Sequence, residues 1–221
     1  MTPLVEATAI LNRVAALLIS AARNEAGRQG AELRLACGDL VDGVAVHLSE
    51  RRIGEHLAAV FRAATEAGCR FSQIEQVLAG IQRERPSSPI AKAICTGCTW
   101  FGLIEMARIS SVTAFRSRED AQSIGVRVNA TFAPAEDAAA DQGEHRFYRD
   151  LVALHAAVTR DLVERGRPLP RIVPYRTAMR LPALALSNRI YGAADRADEL
   201  VGENHAVHPL FMPAAGRAFS G

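Results

Sequence analysis

The chain has 221 residues, 49% of them apolar but only 5% aromatic, which allows a substantial core and favours Ala-, Leu- and Val-rich helices over sheets. Lys and Arg total 26 against 24 Asp and Glu, and a net charge of +2 argues against a strongly basic nucleic-acid binder. Lys92 is the only lysine, so arginine richness is a composition bias and carries no weight as phosphate recognition.

Thr2-Pro3 supplies a cap and a first-turn proline. Leu4, Ala7, Ile10, Leu11, Val14, Leu17 and Leu18 follow at helical steps, predicting a helix buried on one face and stopped by AGRQG at 26–30. Glu6, Arg13, Arg23 and Glu25 lie in or just after it, and no basic leader or small-residue cleavage site is present, which argues against a signal peptide. No run approaches the ~18 uninterrupted apolar residues of a membrane span. The protein is expected to be soluble and made in the cytoplasm.

The next stretch, AELRLACGDLVDGVAVHLSERR, is interrupted by Gly38 and Gly43 and is expected to break in two. Residues 52–68 predict a helix with Ile53, Leu57, Val60 and Phe61 as its stripe and Gly68 as its stop. Ser72-Gln73-Ile74-Glu75 has capping-box spacing and opens another, which ends in RERPSSP. Ser88-Pro89 starts a helix apolar nearly all round, the pattern of a central bundle element. Ser117-Arg118-Glu119-Asp120 caps a helix reaching Ala140, and 144–166 is amphipathic along Phe147, Leu151, Leu154, Val158 and Leu162. RPLPRIVPYR at 167–176 cannot continue a helix and reads as an extended connector. Strand signals are scarce.

Residue patterns that carry chemistry are few. Cys95-Thr96-Gly97-Cys98 is a CxxC, but it falls inside an apolar helix rather than at a helix N-terminus, and Cys37 and Cys69 stand alone. All four read as reduced, buried thiols. His205 and His208 flank a turn, while His145 and His155 share a helix; neither pair has the HExxH spacing of a zinc site. No nucleophile elbow or phosphate-binding glycine loop occurs. No catalytic residue, metal ligand or cofactor is assigned. Arg165, Arg167, Arg171, Arg176 and Arg180 form a strip without an acid, which an exposed connector carries simply as solvated charge; as a binding surface it suits an acidic protein neighbour and DNA less, since only Tyr175 is interleaved for base stacking.

The last segment, LPALALSNRIYGAADRADELVGENHAVHPLFMP, predicts two short helices around Tyr191-Gly192 and an irregular tail. Gly192 suits a left-handed helix end. Tyr191 offers a ring to bury, Asn204 can bond local backbone, and Pro209 and Pro213 fix the exit. This arrangement resembles a LysM-type module, in which a first helix ends at Tyr-Gly, a second ends near an Asn, and prolines lead to a closing strand. Together with LVALHAAVTRDLVERGRPLP and the Asn-x-x-x-His-Pro-x-Phe-x-Pro close, it resembles the C-terminal part of the DNA circularisation proteins of Mu-like phages and prophages. Ala193 stands where the family pattern carries an acid, and PAAGRAFSG lacks the alternating apolar pattern of the module's last strand, predicting a degenerate strand. Family members are commonly longer, so the chain is expected to be a separately encoded C-terminal half.

The residue patterns predict a mainly α protein with a helical body over 1–166, a candidate sub-boundary near 84–88 and a connector at 167–176, and the resemblance implies a small α+β LysM-like module over 177–221. It further implies a structural tail or baseplate hub adaptor in the virion, not an enzyme. Its expected partners are other tail subunits (hub, tail tube, tape measure), and the chain is expected to oligomerise around the tail axis, with no membrane. The residues expected to meet a partner are the five arginines with Tyr191, Gly192, Asn204, Pro209, Phe211 and Pro213. The alternatives are a protein that holds or circularises phage DNA ends, and a peptidoglycan-binding LysM module.

Overall fold

A computed structural model describes residues 2–23, 26–143 and 145–220, so Met1, Asn24, Glu25, Glu144 and Gly221 of the ranges above lie outside the described residues. The chain is mainly helical, with a small two-stranded antiparallel sheet near the C-terminus. In chain order the elements are α1 (Pro3–Ala21), α2 (Arg28–Asp42), α3 (Val44–Ser49), α4 (Ile53–Glu66), α5 (Phe71–Gln82), α6 (Pro89–Val112), α7 (Arg118–Asp141) and α8 (His145–Gly166). β1 (Ile172–Arg176), α9 (Ala183–Tyr191), α10 (Ala197–Glu203) and β2 (Ala215–Phe219) complete the chain. Two compact units contain them: residues 1–113 with 127–160, and residues 114–126 with 161–221.

In the first unit, helix starts follow local chemistry. Thr2 Oγ1 accepts from the Val5 N–H at 3.4 Å beside Pro3, and Ser88 Oγ accepts from the Ala91 N–H at 3.2 Å beside Pro89. Of the two glycines expected to break the second stretch, only Gly43 does so; α2 runs through Gly38. The Ser72-x-x-Glu75 capping box does not form. α5 already begins at Phe71, placing Ser72 inside the helix, and Gln73 Oε1 takes the Arg70 N–H at 2.7 Å. Glu75 instead meets the Arg127 guanidinium at 2.5 Å, and that guanidinium lies 4.7 Å from the centre of the Phe71 ring.

Leu11 and Leu18 of α1, Phe61 of α4, Ile74 and Leu78 of α5, and Leu103 and Met106 of α6 are fully buried, and α6 packs against α1, α4 and α5. Each such side chain contributes about 1.5–3 kcal/mol by leaving water. Gly102 lets α6 come close: a Cβ there would stand 2.5 Å from Leu78 Cδ2. α1 and α6 are long and apolar enough to cross a membrane by length and composition, and here their apolar stripes form this core.

The stretch 84–88, a candidate sub-boundary in the sequence, lies within this unit and is bound to α1. Glu84 makes a paired contact with Arg13 at 2.7 and 2.6 Å. The Glu6 carboxylate accepts from the Ser87 N–H at 2.6 Å, the Ser87 hydroxyl at 2.9 Å and the Ser88 N–H at 3.0 Å. These donors, the Ser87 backbone foremost, hold its pKa down at about 2.

In the second unit, the start of α7 forms the reciprocal box that Ser117–Asp120 predicts. Ser117 Oγ accepts from the Asp120 N–H and Asp120 Oδ2 accepts from the Ser117 N–H, each at 3.1 Å. The expected connector is part of the module itself. Residues 172–176 are β1, paired antiparallel with β2 in the register Ile172 to Phe219 and Arg176 to Ala215. The order β1–α9–α10–β2 encloses a small core of Ala183, Leu186, Ala197, Leu200, Met212 and Ala218. The closing strand is therefore formed, despite its weak alternation.

Candidate functional site

The residues singled out at the C-terminus separate into two groups by what their atoms do. Gly192 ends α9 with φ of 75°, the left-handed region that a side chain would strain. Just upstream, the buried Ser187 hydroxyl donates to the Ala193 carbonyl at 2.7 Å. Tyr191 is half-buried, with the Arg196 guanidinium 4.0 Å from its ring centre and its hydroxyl 3.4 Å from Glu199 Oε1. Burial raises its phenol pKa, against the pull of Arg196.

Asn204 reaches further than local backbone. Its Nδ2 donates to the Leu200 carbonyl and to the Arg217 carbonyl, both at 2.8 Å, while its Oδ1 accepts from the Arg217 N–H at 2.8 Å. The amide thus completes the outer edge of β2 as a peptide of a third strand would. Because Arg217 turns both backbone groups towards Asn204, nothing is asked of its cross-strand partner Pro174, which has no N–H to give. A Cβ on Gly216 would overlap Asn204 Oδ1 and the Tyr175 ring. The lack of a side chain that weakens the strand pattern is what lets the strand close.

Pro209 and Pro213 act through their carbonyls, accepting from the Ala183 N–H at 2.7 Å and from the Tyr175 hydroxyl at 3.3 Å. The Met212 N–H donates to the Leu181 carbonyl at 3.1 Å. The tail is therefore laced to the start of α9. On the outside of that lacing stand Val207, Leu210 and Phe211, at 103%, 55% and 65% of full exposure, with Leu184 and Met179 also exposed.

The arginines do not act as one strip. Arg165 is half-buried, paired with Asp161 at 2.6 Å and lying 4.9 Å from the Phe115 ring centre. The backbones of Arg167 and Arg171 serve the fold: the Arg167 carbonyl accepts from Arg118 Nη2 at 2.7 Å, and the Arg171 N–H donates to Ser220 Oγ at 2.9 Å. The side chains of Arg167, Arg171, Arg176 and Arg180 point to solvent.

In the first unit, a groove of about 840 Å³ is lined by Ile81, Pro86, Lys92, Cys95, Trp100 and Ala139 among others. Cys95 is half-buried there, and burial pushes its thiol up to about 11, which leaves it protonated and unreactive at neutral pH. Cys98 is fully buried and shifted further in the same direction. His155 lies between Glu136 Oε1 at 2.8 Å and Asn129 Oδ1 at 2.7 Å.

One cluster escaped the sequence reading. Asp39 of α2, His47 of α3 and His56 of α4 converge, with the two imidazoles stacked at 3.6 Å between centroids. Their separations match no single-helix ligand spacing, since each residue sits on its own helix. The fold at Gly43 brings Asp39 and His47 together, and the only sequence signal was that glycine between the helix of Asp39 and the helix of His47.

No protein-family model matches the chain, and no curated protein sequence matches it.

Proposed function

We propose that the chain is a structural component of a phage tail, a baseplate or hub adaptor that works by contact with neighbouring subunits. The observation that carries this reading is the distribution of the C-terminal signature over the second unit. Gly192, Asn204, Pro209 and Pro213 are consumed in holding two helices and a two-stranded sheet together, while Phe211, of the same signature, is exposed beside Val207 and Leu210. A fold stabilised in this way presents a firm apolar tip whose covering by a neighbour would remove large side chains from water, the usual centre of a protein interface. The three-segment resemblance to the DNA circularisation proteins of Mu-like phages supplies the assembly, and the LysM-like module supplies the adaptor role. As an adaptor the protein needs no reactive group, and its work is register and buried surface.

The test is composition of particles. Virions induced from a host carrying the gene, purified by density gradient and washed in high salt, are expected to retain the chain at a fixed ratio to the tail tube protein. Its absence from washed particles, with the protein still abundant in the lysate, ends the proposal.

A further inference from the structure

We infer that Asp39, His47 and His56 form a binding site for a borderline divalent cation of the zinc type, a site that stands apart from the tail assignment. Each ligand comes from a different helix. Asp39 Oδ2 lies 2.8 Å from His56 Nδ1 and 3.6 Å from His47 Nε2, and all three ligand atoms lie within 4.8 Å of one another. Around a tetrahedral zinc with bonds of about 2.0–2.2 Å, neighbouring ligand atoms stand about 3.3–3.5 Å apart. The Asp39–His47 separation is close to that value and the Asp39–His56 separation is shorter, so an ion enters as the stacked rings and the carboxylate draw apart.

The donor set selects the metal. Two imidazoles and one carboxylate suit zinc, copper or nickel, whereas magnesium and calcium require oxygen shells. The burial is graded in the sense a metal site needs. The His47 and His56 side chains retain 10% and 21% of their exposure, beneath an Asp39 carboxylate that retains 60%. The imidazoles are therefore held in place while the solvent side stays open, leaving further coordination positions to water.

The His47 ring is positioned by the turn it follows. A Cβ on Gly43 would overlap the ring, and its Nε2 donates to the Asp39 carbonyl at 3.0 Å, a hydrogen bond that the ion replaces with release of the Nε2 proton. Glycine at this position keeps space for an imidazole directed at Asp39. An ion held here ties α2, α3 and α4 together, and binding is therefore linked to the stability of the first unit.

The full chain, purified without a histidine tag and stripped with a chelator, is titrated with zinc chloride by calorimetry and with cobalt chloride by visible absorption. One equivalent of zinc per chain is expected, with a rise in melting temperature and a cobalt spectrum of a low-symmetry nitrogen and oxygen site. Asp39→Asn and His56→Gln, both at solvent-accessible positions, are expected to weaken zinc binding at least about tenfold while keeping the helical circular dichroism of the wild type. Cys95→Ser is expected to keep the full equivalent. Absence of saturable binding to the wild type overturns the inference, leaving a hydrogen-bonded Asp–His–His network. So does unchanged affinity in Asp39→Asn or His56→Gln, or loss of binding in Cys95→Ser.

Discussion

Where the first unit buries whole stripes of side chains, from Leu11 and Leu18 on α1 to Leu103 and Met106 on α6, the second buries Leu186, Leu200, Met212 and a few alanines. The second relies instead on polar atoms that bond to distant backbone: Asn204 to Arg217, Pro209 to Ala183, Tyr175 to Pro213 and Glu119 to Ile172. The contrast separates two ways of specifying a fold. A large core tolerates poorly defined loops because burial dominates. A small core has no such margin, so the residues of its signature are spent on geometry, and few remain to meet a partner.

The largest effect is expected in the large core. Phe61 is fully buried at the contact of α4 with α6, and Phe61→Ala removes its contacts and leaves a cavity, costing about 3–5 kcal/mol. Amide hydrogen exchange resolved by segment should show the loss in α1, α4, α5 and α6. In the small core, a methyl group should do damage that burial alone does not predict. Gly216→Ala forces Cβ into Asn204 and Tyr175, with an expected loss of about 1–3 kcal/mol read from denaturant unfolding. Asn204→Ala leaves the outer edge of β2 without its amide, and about 1 kcal/mol is expected, with faster exchange at the Arg217 amide. A Gly216→Ala protein as stable as the wild type would remove the claim that close backbone approach governs this unit.

The effect at Glu6 is confined to acid pH in the wild type. Its folded pKa of about 2 lies below the ordinary value of 4.5, so its contribution is present above 4.5 and is lost as pH falls from there to about 2. Glu6→Gln should flatten that part of the stability curve, measured by thermal melts across the acid range. A wild-type curve that is already flat there would mean that Ser87 and Ser88 do not hold the carboxylate.

The same contrast explains which parts could be read from residues. Thr2-Pro3, Ser88-Pro89, Ser117–Asp120 and Tyr191-Gly192 mark helix ends because each acts within one turn of itself. α5 shifted because Gln73, not Glu75, bonds the backbone before it. β1 read as a connector because Pro174 and the arginines look unlike a strand, and its acceptability depends on Asn204, which is remote in sequence. β2 read as degenerate for the same reason: Gly216 weakens the pattern while making room for the contacts that hold it. The Asp39–His47–His56 cluster was invisible because its spacing belongs to three helices rather than one.

The sharpest test of the account concerns the exposed tip at 207–211. Leu210→Asp with Phe211→Asp alters two side chains already in solvent, so the purified double variant should melt like the wild type. Supplied in trans to a phage lacking the gene, it should fail to enter tails and leave particles defective. A double variant that is equally stable and is incorporated at the normal ratio, giving infectious particles, would contradict the claim that this tip exists to be covered by a neighbour.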